Sequence, residues 1–200
     1  MQVSKYVRTV LTMTLASVLA FVLVACGPKP ENEIKKVIDS TFATLKNAGE
    51  EDITSYFETE KESFASYGVD LNEFLAHCFA NLGYEVESVT VDESGEKATA
   101  ELSITNIALS DAVDAALDEF SAWTASDEAL TVYQEGGESA LFQKLFELIY
   151  AQMDARKETT VTNKATLSFT KTEEGWEAVA PTEDDAFVAA LFGGMDPSTL

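Results

Sequence analysis

Val89 to Thr105 reads VTVDESGEKATAELSIT, a strand, a turn and a second strand. In the second strand Ala98, Ala100, Leu102 and Ile104 alternate with Thr99, Glu101, Ser103 and Thr105, the period of a half-buried strand. Glu93-Ser94-Gly95-Glu96 supplies the turn. The first strand starts at Tyr84, and its apolar positions switch parity between Val86 and Val89, which predicts a bulge or burial on both faces.

A second hairpin closes the pattern. ATLSFTKTEEGWEAV, from Ala165 to Val179, continues a strand that begins near Glu158. Val161, Ala165, Leu167 and Phe169 face one way, and Thr160, Thr162, Lys164, Thr166 and Ser168 the other. The chain turns at Thr172-Glu173-Glu174-Gly175, and Trp176, Ala178 and Ala180 point inward before Pro181 ends the strand. Between the hairpins lie two helical segments. The first follows a cap at Ser110 and carries Val113, Ala116, Leu117 and Phe120; Tyr133 to Gly137 reads as a loop. The second, from Ser139 to about Arg156, carries Leu141, Phe142, Leu145, Phe146, Leu148, Ile149 and Met153. So apolar a helix must be covered on more than one side, by the sheet and another helix or by a second subunit.

Upstream, Ile34, Val37, Ile38, Phe42 and Leu45 mark an amphipathic helix that Gly49 ends. A broken helical region around Ile53, Tyr56, Phe57, Phe64 and Tyr67 leads to Gly68. From Asp70 to about Leu82, the residues Leu71, Phe74, Leu75, Cys78, Phe79 and Leu82 share one helix face. Downstream, Thr182 and Asp185 form a capping box before Phe187, Val188, Leu191 and Phe192, and Gly193-Gly194 stops that helix. The fold class is α+β: a curved antiparallel sheet of about four strands against several helices, with a helical insertion between the hairpins. One domain covers residues 31–194, with a loose tail at 195–200.

The N-terminus has its own grammar. Lys5 and Arg8 precede an uncharged stretch from Val10 to Ala25, and small Ala25 and Gly27 flank Cys26. That is a secretory signal layout over residues 1–25. Leu23-Val24-Ala25-Cys26 resembles a lipobox, the signal of bacterial lipoproteins. The resemblance implies a diacylglyceryl thioether on Cys26, which becomes the first mature residue, and a chain anchored on the extracytoplasmic face of the cell membrane. Residues 26–30 then form a tether whose prolines keep it out of a helix. Two readings compete: an uncut transmembrane anchor, which needs ~20 apolar residues, and a secreted protein cut near Ala25 and left soluble.

The helix Ile34 to Leu45 and the hairpins VTVDESGEKATAELSIT and ATLSFTKTEEGWEAV, placed after a lipobox, resemble small lipoproteins of the nuclear transport factor 2-like, cystatin-like fold. That resemblance implies helices packed into the concave side of a curved antiparallel sheet. It assigns no activity, because such folds serve enzymes, ligand binders and partner-binding modules alike.

Charge narrows the partners. The chain of 200 residues holds 13 Lys or Arg against 35 Asp or Glu, net −22, and loss of the leader leaves 11 against 35, net −24. Such a surface repels phosphate backbones, which excludes nucleic acid as a partner, and it does not lie flat on an anionic bilayer. With Cys26 committed to lipid, Cys78 has no disulfide partner and reads as a small buried hydrophobe. His77 is the only histidine. It lies about 100° around the helix from Cys78, so it reads as a boundary residue near Glu73 and Asn81 and not as a catalytic base. Asp92-Glu93-Ser94-Gly95-Glu96 lacks the alternating acids of a calcium loop, and Glu183-Asp184-Asp185 suits a helix start. No zinc signature or phosphate-binding glycine loop is present. Trp123, Tyr133, Tyr150 and Trp176 read as core, or alternatively as the lining of a cavity between helices and sheet.

These readings predict no catalytic residue, no cofactor and no metal. The expected function is a non-enzymatic, membrane-anchored domain that binds a protein or small molecule, with self-association through the helix from Ser139 to Arg156 as one form. A small extracytoplasmic hydrolase using a carboxylate pair is the alternative.

Overall fold

The computed structural model describes residues 29–48, 58–181 and 186–195, with backbone only at 58–60 and 63. Among them are six helices and one sheet. In chain order these are α1 (Pro30–Lys46), α2 (Glu58–Ser66), α3 (Leu71–Phe79), β1 (Gly83–Val91), β2 (Lys97–Ile107), α4 (Leu109–Trp123), α5 (Asp127–Ala155), β3 (Thr160–Thr172), β4 (Gly175–Ala178) and α6 (Ala186–Leu191). The strands form an open antiparallel sheet in the order β1-β2-β3-β4. The α+β class and the helical insertion between two hairpins are therefore as expected.

Alternation decides which sheet face is covered. Ala98, Ala100, Leu102 and Ile104 of β2, Ala165, Leu167 and Phe169 of β3, and Trp176 of β4 are all buried. Their neighbours Thr99, Glu101, Thr162, Lys164, Thr166 and Ser168 face solvent. The parity switch in β1 is a bulge: Val86 pairs with Leu102 and Ser88 with Glu101, leaving Glu87 unpaired. On the inner face, α1 lies over β1 and β4, and α6 over β2 and β3. Tyr84 binds α1 to β1 by stacking on Phe42 at 4.0 Å and donating its hydroxyl to Asp39 at 2.6 Å.

Helices α4 and α5 pack against each other and meet α3, and their buried residues belong to the same continuous core as the sheet face. Phe64, Phe74 and Phe146 bring α2, α3 and α5 together with ring centroids 5.3–5.6 Å apart. The apolar residues expected on α5 are buried, from Phe142 through Met153, and their principal neighbours are α3 and α4 in the same chain.

Several boundaries differ from expectation. Tyr133 to Gly137 is not a loop: α5 starts at Asp127 and stays helical until Gly137, where φ 64° and ψ −152° kink it. Glycine alone enters that region readily, so a first helix ends at the double glycine and a second, carrying the stretch expected from Ser139, follows across the kink. Helix α4 begins at Leu109, ahead of Ser110, because Leu109 is drawn into the core. Pro30 is not tether but the first residue of α1, where its missing N–H costs nothing. Ala180 is exposed, since the pairing with β3 ends at the Val179 N–H, which donates to the Ser168 carbonyl at 2.8 Å. Met195 is 3% exposed and belongs to the core, so the domain extends past residue 194. Cys26, Gly49, Ile53, Tyr56, Phe57, the Thr182–Asp185 box and residues 196–200 lie outside the described residues.

The end of β2 holds the one amide residue among the described residues that is almost fully buried. Asn106, 1% exposed, donates through Nδ2 to the Cys78 carbonyl of α3 at 2.9 Å and the Leu191 carbonyl of α6 at 2.7 Å. Its Oδ1 accepts from the Ile107 N–H at 2.8 Å. One side chain thus satisfies the carbonyl ends of two helices. Gly193, at φ 67°, passes so close to the Ile107 carbonyl that a Cβ would overlap it.

Candidate interaction surface

The kink at Gly137 separates α5 into two helical halves of opposite character. The second half lies antiparallel to α4: Gln152 donates to Glu119 at 3.0 Å, and the Lys144 ammonium sits 6.0 Å from the centre of the Trp123 ring. Residues 127–136 therefore form a short helical arm at the end of the α4–α5 pair. Two serines flank it. Ser126 caps the start by accepting from the Ala129 N–H at 3.2 Å, and Ser139, just past the kink, donates to the Tyr67 carbonyl at 2.8 Å.

Within the arm only Ala129 is buried. Leu130 is 58% and Tyr133 50% exposed. They stand three residues apart, on one helix face. The arm's own charges are of one sign: Asp127, Glu128 and Glu135. From Leu109 to Gln143 the chain has eight Asp or Glu and no Lys or Arg. All eight, Asp111, Asp114, Asp118, Glu119, Asp127, Glu128, Glu135 and Glu138, are exposed. The nearest cation, Lys144, pairs with Glu147 at 3.0 Å. This surface is two apolar side chains on a capped helix whose own charges are all acidic.

The candidates raised by the sequence fall elsewhere. His77 stacks on Tyr150 at 4.4 Å and places Nδ1 3.4 Å from Asp154 Oδ1. Its partners come from α5 and not from Glu73 on its own helix. Cys78 is buried, and burial pushes its thiol well above the usual range. The two neighbours thus face different environments, and the thiol is held protonated. The Tyr150 hydroxyl is also pushed up, first by burial and then by the acids Glu73 and Asp70 beside it. Neither group is tuned to give up a proton near neutral pH.

Asp92 serves the hairpin turn. Its carboxylate accepts from the Ser94 hydroxyl at 2.8 Å and from the Glu96 and Lys97 N–H groups at 3.3 and 3.2 Å. The Ser94 hydroxyl is the main reason its carboxyl lies below the usual range. Among the described residues no three His, Cys, Asp or Glu group as a metal site would require. Glu183-Asp184-Asp185 lies outside the described residues.

The four aromatics do not converge. Trp123 stacks near Phe120, Tyr133 faces solvent, Tyr150 covers His77, and Trp176 is buried on the strand under α1. Two open grooves, of about 380 Å³ beside Thr90, Thr99 and Ser168 and about 600 Å³ beside Lys61, Gly68 and Asn72, include none of the four. No helix among the described residues is long and apolar enough to cross a membrane.

Leu130 and Asn106 are the residues that motif reasoning misses. Leu130 and Tyr133 form an i, i+3 pair with glycine, not an apolar residue, one turn further on. That truncated stripe is the available signal. No protein-family model, curated protein or solved structure matches this chain.

Proposed function

We propose that this chain is an extracytoplasmic lipoprotein, anchored through Cys26, whose α+β domain binds a macromolecular partner and performs no catalysis. The observation that carries the binding reading is the exposed pair Leu130 and Tyr133 on one face of a capped, preformed helical arm. Large apolar side chains displayed on a preformed element suit a docking site, because little ordering entropy remains to be lost on binding. The lipobox-like ending at Cys26 supports the anchor. The element order (helix, hairpin, helical pair, hairpin, helix) supports kinship with nuclear transport factor 2-like lipoproteins. A second copy is a less favoured partner, since the apolar residues between Ser139 and Arg156 are already covered in their own chain.

The anchor is tested by expressing the full chain with Cys26→Ser and separating membranes from soluble material. The wild type is expected with the membranes and the variant released from them. A variant that still sediments with membranes removes the lipid anchor from the proposal.

A further inference from the structure

We infer that the arm's partner is a protein surface with an apolar cleft rimmed by Lys and Arg. This rests on the partner-binding reading above and specifies its chemistry. Leu130 and Tyr133 are the only large apolar side chains exposed on any described helix. They sit on an arm whose charged residues, Asp127, Glu128 and Glu135, are all acidic and exposed, with exposed Glu138 just past it.

Charge complementarity chooses among occupants. A second copy docking through the same arm would bring its Asp127, Glu128, Glu135 and Glu138 against their equivalents, and like charges facing each other oppose association. An anionic bilayer fails for the same reason. A basic rim is drawn to the acids at long range, and the cleft then takes the leucine and the tyrosine. This is helix-in-groove recognition with anchors at i and i+3. The kink completes the device. Only glycine readily holds the Gly137 backbone, so the helix breaks there and the arm's short apolar stripe does not run on into the packed half of α5.

The test is site-specific photo-crosslinking of the full-length chain in its own membranes, with p-benzoylphenylalanine replacing Tyr133 or, separately, Thr166 on the open sheet face. An adduct is expected at position 133 and none at 166. The peptide linked to position 133 should combine apolar residues with an excess of Lys and Arg. Adding Leu130→Ser should lower the yield at least about tenfold, as loss of one buried anchor implies, with the melting curve unchanged. Salt near ~1 M, where screening reaches ~3 Å, should lower it also. An adduct at 133 to a second copy, or to an acidic or salt-insensitive surface, overturns the basic-partner inference and leaves partner binding standing. An adduct at 166 alone overturns the arm as the docking surface. No adduct at either position, or at further exposed positions on each helix, overturns the partner-binding reading itself.

Discussion

The two halves of α5 share one backbone and differ in almost everything else. Beyond Gly137, Phe142, Leu145, Phe146, Leu148, Ile149 and Met153 are buried against α3 and α4. Before it, Leu130 and Tyr133 stand in solvent. Helix propensity cannot produce this contrast, because leucine and aromatic side chains occur in both halves. What differs is the register of the apolar positions and the length over which they persist. In the packed half they recur over four turns and define a continuous face. In the arm they stop after one turn. A continuous face is absorbed by the fold, and an interrupted one remains available to another molecule.

The largest expected effect tests that contrast directly. Ile149→Ala removes a fully buried side chain and should cost about 2–5 kcal/mol in denaturant unfolding. Leu130→Ala should stay within about 0.5 kcal/mol of the wild type. Equal losses at the two positions would break the comparison, since the arm would then be part of the packed body.

Gly137→Ala sharpens it at the boundary. A Cβ there meets no neighbour, so the cost comes from backbone strain alone and should be about 1–3 kcal/mol. An unchanged melting temperature would mean that the bend is imposed by packing and not by glycine.

The smallest effect appears only in alkali. The Tyr84 hydroxyl is pushed up to about 12, mainly by burial and then by its bond to Asp39. A raised folded-state value means that the native protein holds this proton more tightly than the unfolded chain does. The stabilisation is complete below pH ~10, the ordinary tyrosine value, and is lost as pH rises toward about 12. Stability measured across that window should fall more steeply in the wild type than in Tyr84→Phe. Matching slopes would remove Tyr84 from the alkaline response.

Much of the body is legible from residue spacing. The alternation in β2 and β3 identifies the covered face, and the parity switch after Val86 marks the bulge at Glu87. These features follow from the local two-residue period and need no distant partner. Asn106 is different. It continues the inward series Ala98, Ala100, Leu102, Ile104, yet an amide in that position reads as the strand's end, because its acceptors belong to α3 and α6. His77 is the boundary residue expected, but its partners are illegible for the same reason: Tyr150 and Asp154 are remote in sequence. The arm is missed for a local one. Two adjacent glycines normally signal a loop, but Gly136 stays helical and only Gly137 departs.

The amide of Asn106 also dictates when the fold can be finished. One of its two acceptors, the Leu191 carbonyl, lies 85 residues further along the chain, and Gly193 must lie against the Ile107 carbonyl at the same spot. During synthesis both hairpins and both central helices emerge before either contact exists. Until then β2 carries an unanswered donor, and the ends of β2 and β3 lack their cover. Closure over so long a separation is slow, so the nascent domain passes through an open-ended stage that only its last residues bring to an end.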